Sequence, residues 1–190
     1  MGKSIDEMSP EEGIPLEFVY RVGWVAVSWA MVEYGLDSAA REVFAHHGGT
    51  SIQSSAPASL KAKIQFLRKA FNQLPSLAGC AAHGHALLDE VNDLKHQRND
   101  VMHGIVAGPG DEGHRLMRFR YEESGHVSEI YAYALEDLAT LSGLMANLAA
   151  RLSFLPDLIV DDQCKEALRE LSVGKPAVVV PQRKLVFEVR

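Results

Sequence analysis

In the stretch Leu94-Lys95-His96-Gln97-Arg98-Asn99-Asp100-Val101-Met102-His103-Gly104 an arginine stands where the apolar pattern calls for leucine. Upstream, apolar residues recur at Leu87, Val91 and Leu94, and the pattern resumes at Val101. That is the i, i+4, i+3 spacing of one helical face, and Arg98 fills its vacant position. An unpaired guanidinium costs several kcal/mol to bury, so Arg98 requires an anionic partner from protein or ligand. His103 follows Asn99 by one turn on the same face, and Gly104 reads as the helix stop.

Working outward, Pro15 suits a helix first turn, and an apolar pattern runs from Leu16 to about His46. One face of it reads Val22, Ala26, Trp29, Glu33, Leu36, Ala40, Val43, with Glu33 a carboxylate inside the stripe and Gly35 a point of bending or interruption. A second helix opens at Pro57, carries Leu60, Ile64, Leu67 and Phe71, and ends at Pro75. The third begins at Ser76 or Leu77 and runs to His103. Its first half holds Ala78, Gly79, Ala81, Ala82 and Gly84, small residues that admit a close helix neighbour. Residues 104–114 read as loop from their Gly, Pro and Asp content. The segments 116–121 and 127–133 flank Glu122-Glu123-Ser124-Gly125 as a β-hairpin. A last long helix carries the stripe Leu138, Leu141, Met145, Leu148, Leu152, Leu155 and stops at Pro156; a short helix around 162–171 follows. The tail from Pro176 is strand-prone without an evident partner.

The expected fold is all-α: an up-and-down four-helix bundle with a β-hairpin inserted before the last long helix. Short connections between the first three helices imply antiparallel neighbours. Residues 1–14 form a flexible N-terminus, 15–156 the bundle and 157–190 a C-terminal appendage. Net charge is -6, which excludes a broad basic nucleic-acid surface and leaves only local binding. Cys80 and Cys164 are isolated, as in a reduced protein. The start lacks an apolar signal segment, and the apolar run Val22 to Val32 is too short to span a bilayer, so the expectation is a cytoplasmic protein with no membrane partner.

The segment Arg98-Asn99-Asp100-Val101-Met102-His103 resembles the R-N-x-x-x-H signature of the HEPN superfamily, and its place late in a third helix is similar too. The resemblance covers about residues 16–155. It implies a homodimer and a metal-independent endoribonuclease, without cofactor, whose composite site forms where two motifs meet. It also implies RNA as substrate, a toxin or defence role, and an antitoxin or regulatory protein as a further partner. Other members bind RNA or nucleotide without cutting. One subgroup carries a Tyr two residues beyond the His; Ile105 stands there in this chain.

Residue chemistry is compatible with a two-chain site. Arg98 and His103 lie about 140° apart around an ideal helix, so they do not both face one narrow cleft, whereas a twofold brings one chain's Arg98 to the other's His103. Cleavage by the RNA's own 2′-hydroxyl needs a base near neutral pH, which histidine supplies, and a cation for the phosphoryl charge, which arginine supplies. Asn99 holds the imidazole or a phosphate oxygen. Catalytic candidates are therefore Arg98, Asn99 and His103, with Glu33, Lys95 and His96 as substrate-binding or structural support. Each has a plainer reading. His103-Gly104 is also an ordinary helix end, with a cation favoured by the dipole and a glycine cap. Arg98 and Glu33 also make sense as a structural pair. His83 and His85 point to different sides and suit no metal. The functional alternative is a non-catalytic helical dimerisation or interaction module that binds RNA or nucleotide.

Overall fold

Pro15 presets φ for a first turn, and its carbonyl accepts from the Phe18 and Val19 amides. Helix α1 runs unbroken from there, Leu16–His46. It ends before Gly48, whose φ of 84° is left-handed and suits glycine. These features belong to a computed structural model that describes residues 14–110, 113–122, 125–160 and 183–188, with side chains at 14–106, 114, 116 and 131–160. The N-terminal residues 1–13, the expected helix at 162–171, Cys164 and the Arg118 and Arg120 side chains lie outside the described residues.

The remaining helices are α2 (Leu60–Gln73), α3 (Ala81–His103), α4 (Leu135–Ser153) and the short α5 (Leu155–Val160). Four strands, β1 (Ile105–Gly110), β2 (Gly113–Glu122), β3 (Gly125–Tyr133) and β4 (Arg183–Glu188), form an antiparallel sheet in the order β1-β2-β3-β4. The protein is mostly helical, and the expected hairpin is β2–β3, pairing Met117 with Ile130. Two segments differ from expectation. The presumed loop after Gly104 is strand β1, which pairs Ile105 with Met117 and shifts register between Val106 and Pro109. A proline is tolerated there because β1 is an edge strand with a bulge. The strand-prone tail finds its partner in β3, where Leu185 faces Ile130.

Helix starts are also corrected. Helix α2 begins at Leu60 rather than Pro57, because Ser59 caps it by accepting the Ala62 amide at 3.2 Å. Pro75–Leu77 is a separate 3-10 turn, and α3 follows at Ala81. Pro156 ends nothing further on: it sits in the first turn of α5, where a proline costs no hydrogen bond. Helix α4 starts with Asp137 accepting the Ala134 amide at 2.9 Å, the acidic half of a capping box.

The described residues divide into two units, one from 28–94 with 144–160, the other from 14–27 with those of 95–143 and 183–188. In the first, α1 and α2 run in the same sense. Lys63 pairs with Asp37 at 2.7 Å, the Phe66 ring meets Phe44 at 6.2 Å, and Leu74 lies beside Gly48. The 13 residues between the helices return the chain, so these two are not the antiparallel neighbours expected; residues 47–59 can span up to about 43 Å. Helices α2 and α3 are antiparallel, with Arg68 on Asp89 and Asn72 on His85. Gly84 lets the Phe71 ring approach so closely that an added Cβ would sit 2.4 Å from it. Gly35 does not break α1. It is buried, and a Cβ there would lie 2.8 Å from Leu152 Cβ on α4. Arg151 of α4 pairs with Glu90 of α3 at 2.5 Å.

In the second unit, Phe18 stacks on His114 of β2 at 4.6 Å. Leu116, Tyr131 and Tyr133 are buried, as the two-residue period of paired strands requires. Helix α4 runs from this unit into the first, and along it Leu138, Leu141, Met145, Leu148 and Leu152, with Leu155 just after it, are all buried, as their spacing implies. The run Leu135–Val160 is long and apolar enough to cross a membrane by length and composition. Its periodic burial is also the pattern of a core helix.

Candidate active site at the end of helix α3

Helix propensity and the Leu87, Val91, Leu94 stripe bring α3 to its C-terminal turns, and all three residues are buried together with Val101. Arg98, at the gap in that stripe, is half-buried, and its Nη1 donates to Asn99 Oδ1 at 3.0 Å. Two of the three catalytic candidates are thus brought together. That bond fixes the Asn99 amide with its oxygen toward the guanidinium, which leaves its NH2 group as a donor. His103 is the last residue of α3 and is exposed; His96 is exposed and Lys95 half-buried.

Glu33 belongs to the other unit. Its carboxylate accepts the indole N–H of Trp29 at 2.6 Å, one turn earlier on α1. The partner found for this stripe carboxylate is therefore local. The other histidines resolve plainly. His85 meets Asn72, His47 meets Glu42 at 3.3 Å, and His83 is half-buried. Burial holds His83 below its ordinary pKa, with Arg151 adding to the effect and Glu90 opposing it. Among the described residues, no group of three or more His, Cys, Asp or Glu is placed to hold a metal ion.

One residue escaped the sequence reading. Asp100, inside the motif, is buried at 3% exposure. It lies about 120° from Leu94 around the helix, a side the apolar stripe leaves to solvent. The signal lay in the motif itself, since an aspartate beside Arg98-Asn99 adds an acceptor where a cation needs one. A buried carboxylate persists only when it is engaged, and both Asp100 and Arg98 are.

Gly104 closes the helix, though not as a left-handed cap, since among the described residues only Gly48 has positive φ. Close approach demands the glycine. A Cβ at 104 would lie 2.6 Å from the Asp100 carbonyl oxygen and 2.9 Å from Leu116 Cβ. Strand β2 is packed directly on the helix end that carries the motif.

Chemically, this end of α3 presents a fixed guanidinium–amide pair and an exposed imidazole one and a half turns on. The helix C-terminus carries partial negative charge, so it opposes a bare phosphate. Any phosphate held here depends on the side-chain cations. No family model matches the chain, and neither the curated proteins nor the solved structures yield a match.

Proposed function

We propose that the protein is a metal-independent endoribonuclease of HEPN type, acting as a homodimer whose site combines Arg98 and Asn99 of one chain with His103 of the other. The observation that carries the reading is the Arg98–Asn99 bond at the end of α3, with His103 exposed in the last turn. The guanidinium, oriented by Asn99, stabilises the charge that builds on the phosphoryl oxygens. His103 takes the proton from the RNA 2′-hydroxyl, whose oxygen attacks the adjacent phosphorus and expels the 5′-oxygen of the next nucleotide. Asp100 steadies the turn that carries these groups, and Lys95 and His96 offer contacts to flanking phosphates. A four-helix bundle with an inserted hairpin, a cytoplasmic location and a toxin or defence role with an antitoxin or regulator belong to the same proposal.

Purified protein in excess EDTA is expected to cut single-stranded RNA and leave 2′,3′-cyclic phosphate ends. Arg98→Ala and His103→Ala are each expected to lower the rate roughly 10²-fold or more. Cleavage that persists unchanged in both variants overturns the assignment. The second reading, a non-catalytic helical interaction module, draws support from the net charge of -6, which gives RNA no basic approach path. It predicts RNA or nucleotide binding without strand scission.

A further inference from the structure

Helix α1 is apolar on two opposite sides. Val25, Trp29, Val32, Leu36, Ala40 and Val43 are buried. On the other side stand Leu16, Val19, Tyr20, Trp24, Val27, Met31 and Tyr34, each 47–83% exposed. Apart from the adjacent Val19 and Tyr20 they recur every three or four residues, and all fall within about 140° around the helix. Gly23 and Ala30 lie on the same line and are exposed, and a Cβ built on Gly23 meets nothing within 4 Å. A surface helix ordinarily places charged and polar residues on this side, and a helix apolar all round is ordinarily buried all round.

We propose that this stripe is the surface through which two copies of the chain associate, with the two α1 helices antiparallel across a twofold near residue 25. Three observations favour a second copy as the occupant. Seven large side chains, three of them aromatic, offer on the order of 800 Å2 of exposed surface, which is what each partner gives to a standard interface. The stripe also sets large side chains opposite small ones about its centre. A twofold at residue 25 sets Leu16 against Tyr34, Val19 against Met31, the large Tyr20 against the small Ala30, and Val27 over the open Gly23, so that self-complementarity comes from one sequence. Finally, the charged residues of α1 that border the stripe are Glu17 and Arg21, already paired at 3.4 Å, Glu33, held by Trp29, and beyond its end Asp37 and Arg41, paired with each other. A helix lying on an anionic membrane wants a basic border, which this one lacks.

The inference rests on α1 alone and needs none of the chemistry at the end of α3; a wild-type monomer would overturn both readings, whereas a dimer that survives the two charge variants overturns only this one. The small residues of α3 are a weaker candidate for that contact, because Gly84 is already occupied by the Phe71 ring.

Analytical ultracentrifugation of the full chain at micromolar concentration is expected to give twice the 20.9 kDa chain mass. Val27→Glu and Gly23→Arg each put a charge on the stripe at an exposed position. Both are expected to sediment as monomers with unchanged helical circular dichroism. For orientation, a Leu16→Cys chain mixed with a Tyr34→Cys chain and oxidised is expected to yield the 16–34 disulfide on peptide mapping. A wild-type monomer, a dimer that survives both charge variants, or 16–16 disulfides in the mixture would overturn the proposal. So would a monomer that co-sediments with anionic phospholipid vesicles, which would assign the stripe to lipid.

Discussion

Replacing Gly104 by alanine adds one methyl at the junction of α3 and β2, and its effect can be worked from the surrounding atoms. The new carbon would meet the Asp100 carbonyl oxygen at 2.6 Å and Leu116 Cβ at 2.9 Å. Neither neighbour can be relieved by turning a side chain, since one is backbone and the other is fixed to backbone. The backbone of the last helical turn must shift and the strand must give way, and overpacking of that kind costs about 1–3 kcal/mol. Alanine recovers about 0.4–1 kcal/mol by restricting the unfolded chain, because φ at this position is not left-handed. Mid-range values of about 2 and 0.7 kcal/mol leave a net destabilisation of about 1 kcal/mol, or a fall in Tm of roughly 2–4 °C for a chain of this size. Urea and thermal unfolding measure it, with His103→Ala as the control. That control loses at most about 0.3–1 kcal/mol of dipole interaction. A Gly104→Ala protein as stable as wild type, or more so, would show that β2 does not press on the helix end as described.

Glu33→Ala is expected to cost about 1–2 kcal/mol in urea unfolding by removing the acceptor of the Trp29 indole, and Glu33→Gln less, since the amide oxygen still accepts; equal losses in the two would rule out that role. The pH dependence has a definite sign. The Lys63 ammonium, hydrogen-bonded to Asp37, holds that carboxyl below its ordinary value of 3.8, and burial holds His83 below 6.5. A depressed folded pKa gives stability that is present above the ordinary value and lost as pH falls through the depressed one. Unfolding free energies measured down from neutral pH should therefore fall in two windows, His83→Gln flattening the one below 6.5 and Asp37→Asn the more acidic one. Stability that rose on acidification through either window would contradict the assignments.

What the sequence disclosed was mostly local. The bounds of α1 are marked by Pro15 and the Gly48-Gly49 pair, and the α4 stripe announces itself at helical spacing. The Arg98–Asn99 bond joins adjacent residues and lay within reach. Long-range pairing was hidden: Gly108-Pro109-Gly110 reads as loop until β2 supplies its hydrogen bonds, and β4 meets β3 across some fifty residues. Helix α1 misled in a different way. Its apolar residues were read as a single stripe through Val22, Ala26 and Trp29, whereas the core side is centred on Val25, Trp29 and Val32, and a second stripe faces outward. Two stripes on one helix blur any single period. Gly35 looked like a breaker and is not one, whereas Gly104 does end its helix, yet both mark close approach by a neighbour, Leu152 and Leu116, that sequence spacing does not reveal.

The composite site itself is open to a mixing experiment. Chains carrying Arg98→Ala and chains carrying His103→Ala are each expected to be inactive on RNA in excess EDTA. Mixed and allowed to exchange subunits, they form hybrid dimers in which the intact Arg98 of one chain meets the intact His103 of the other. Half the dimers then carry one working site of two, so RNA cleavage should return to about one quarter of the wild-type rate. An active wild type whose two variants stay inactive on mixing would place Arg98 and His103 in the same chain's site. Wild type that binds RNA without cutting it would contradict the ribonuclease altogether.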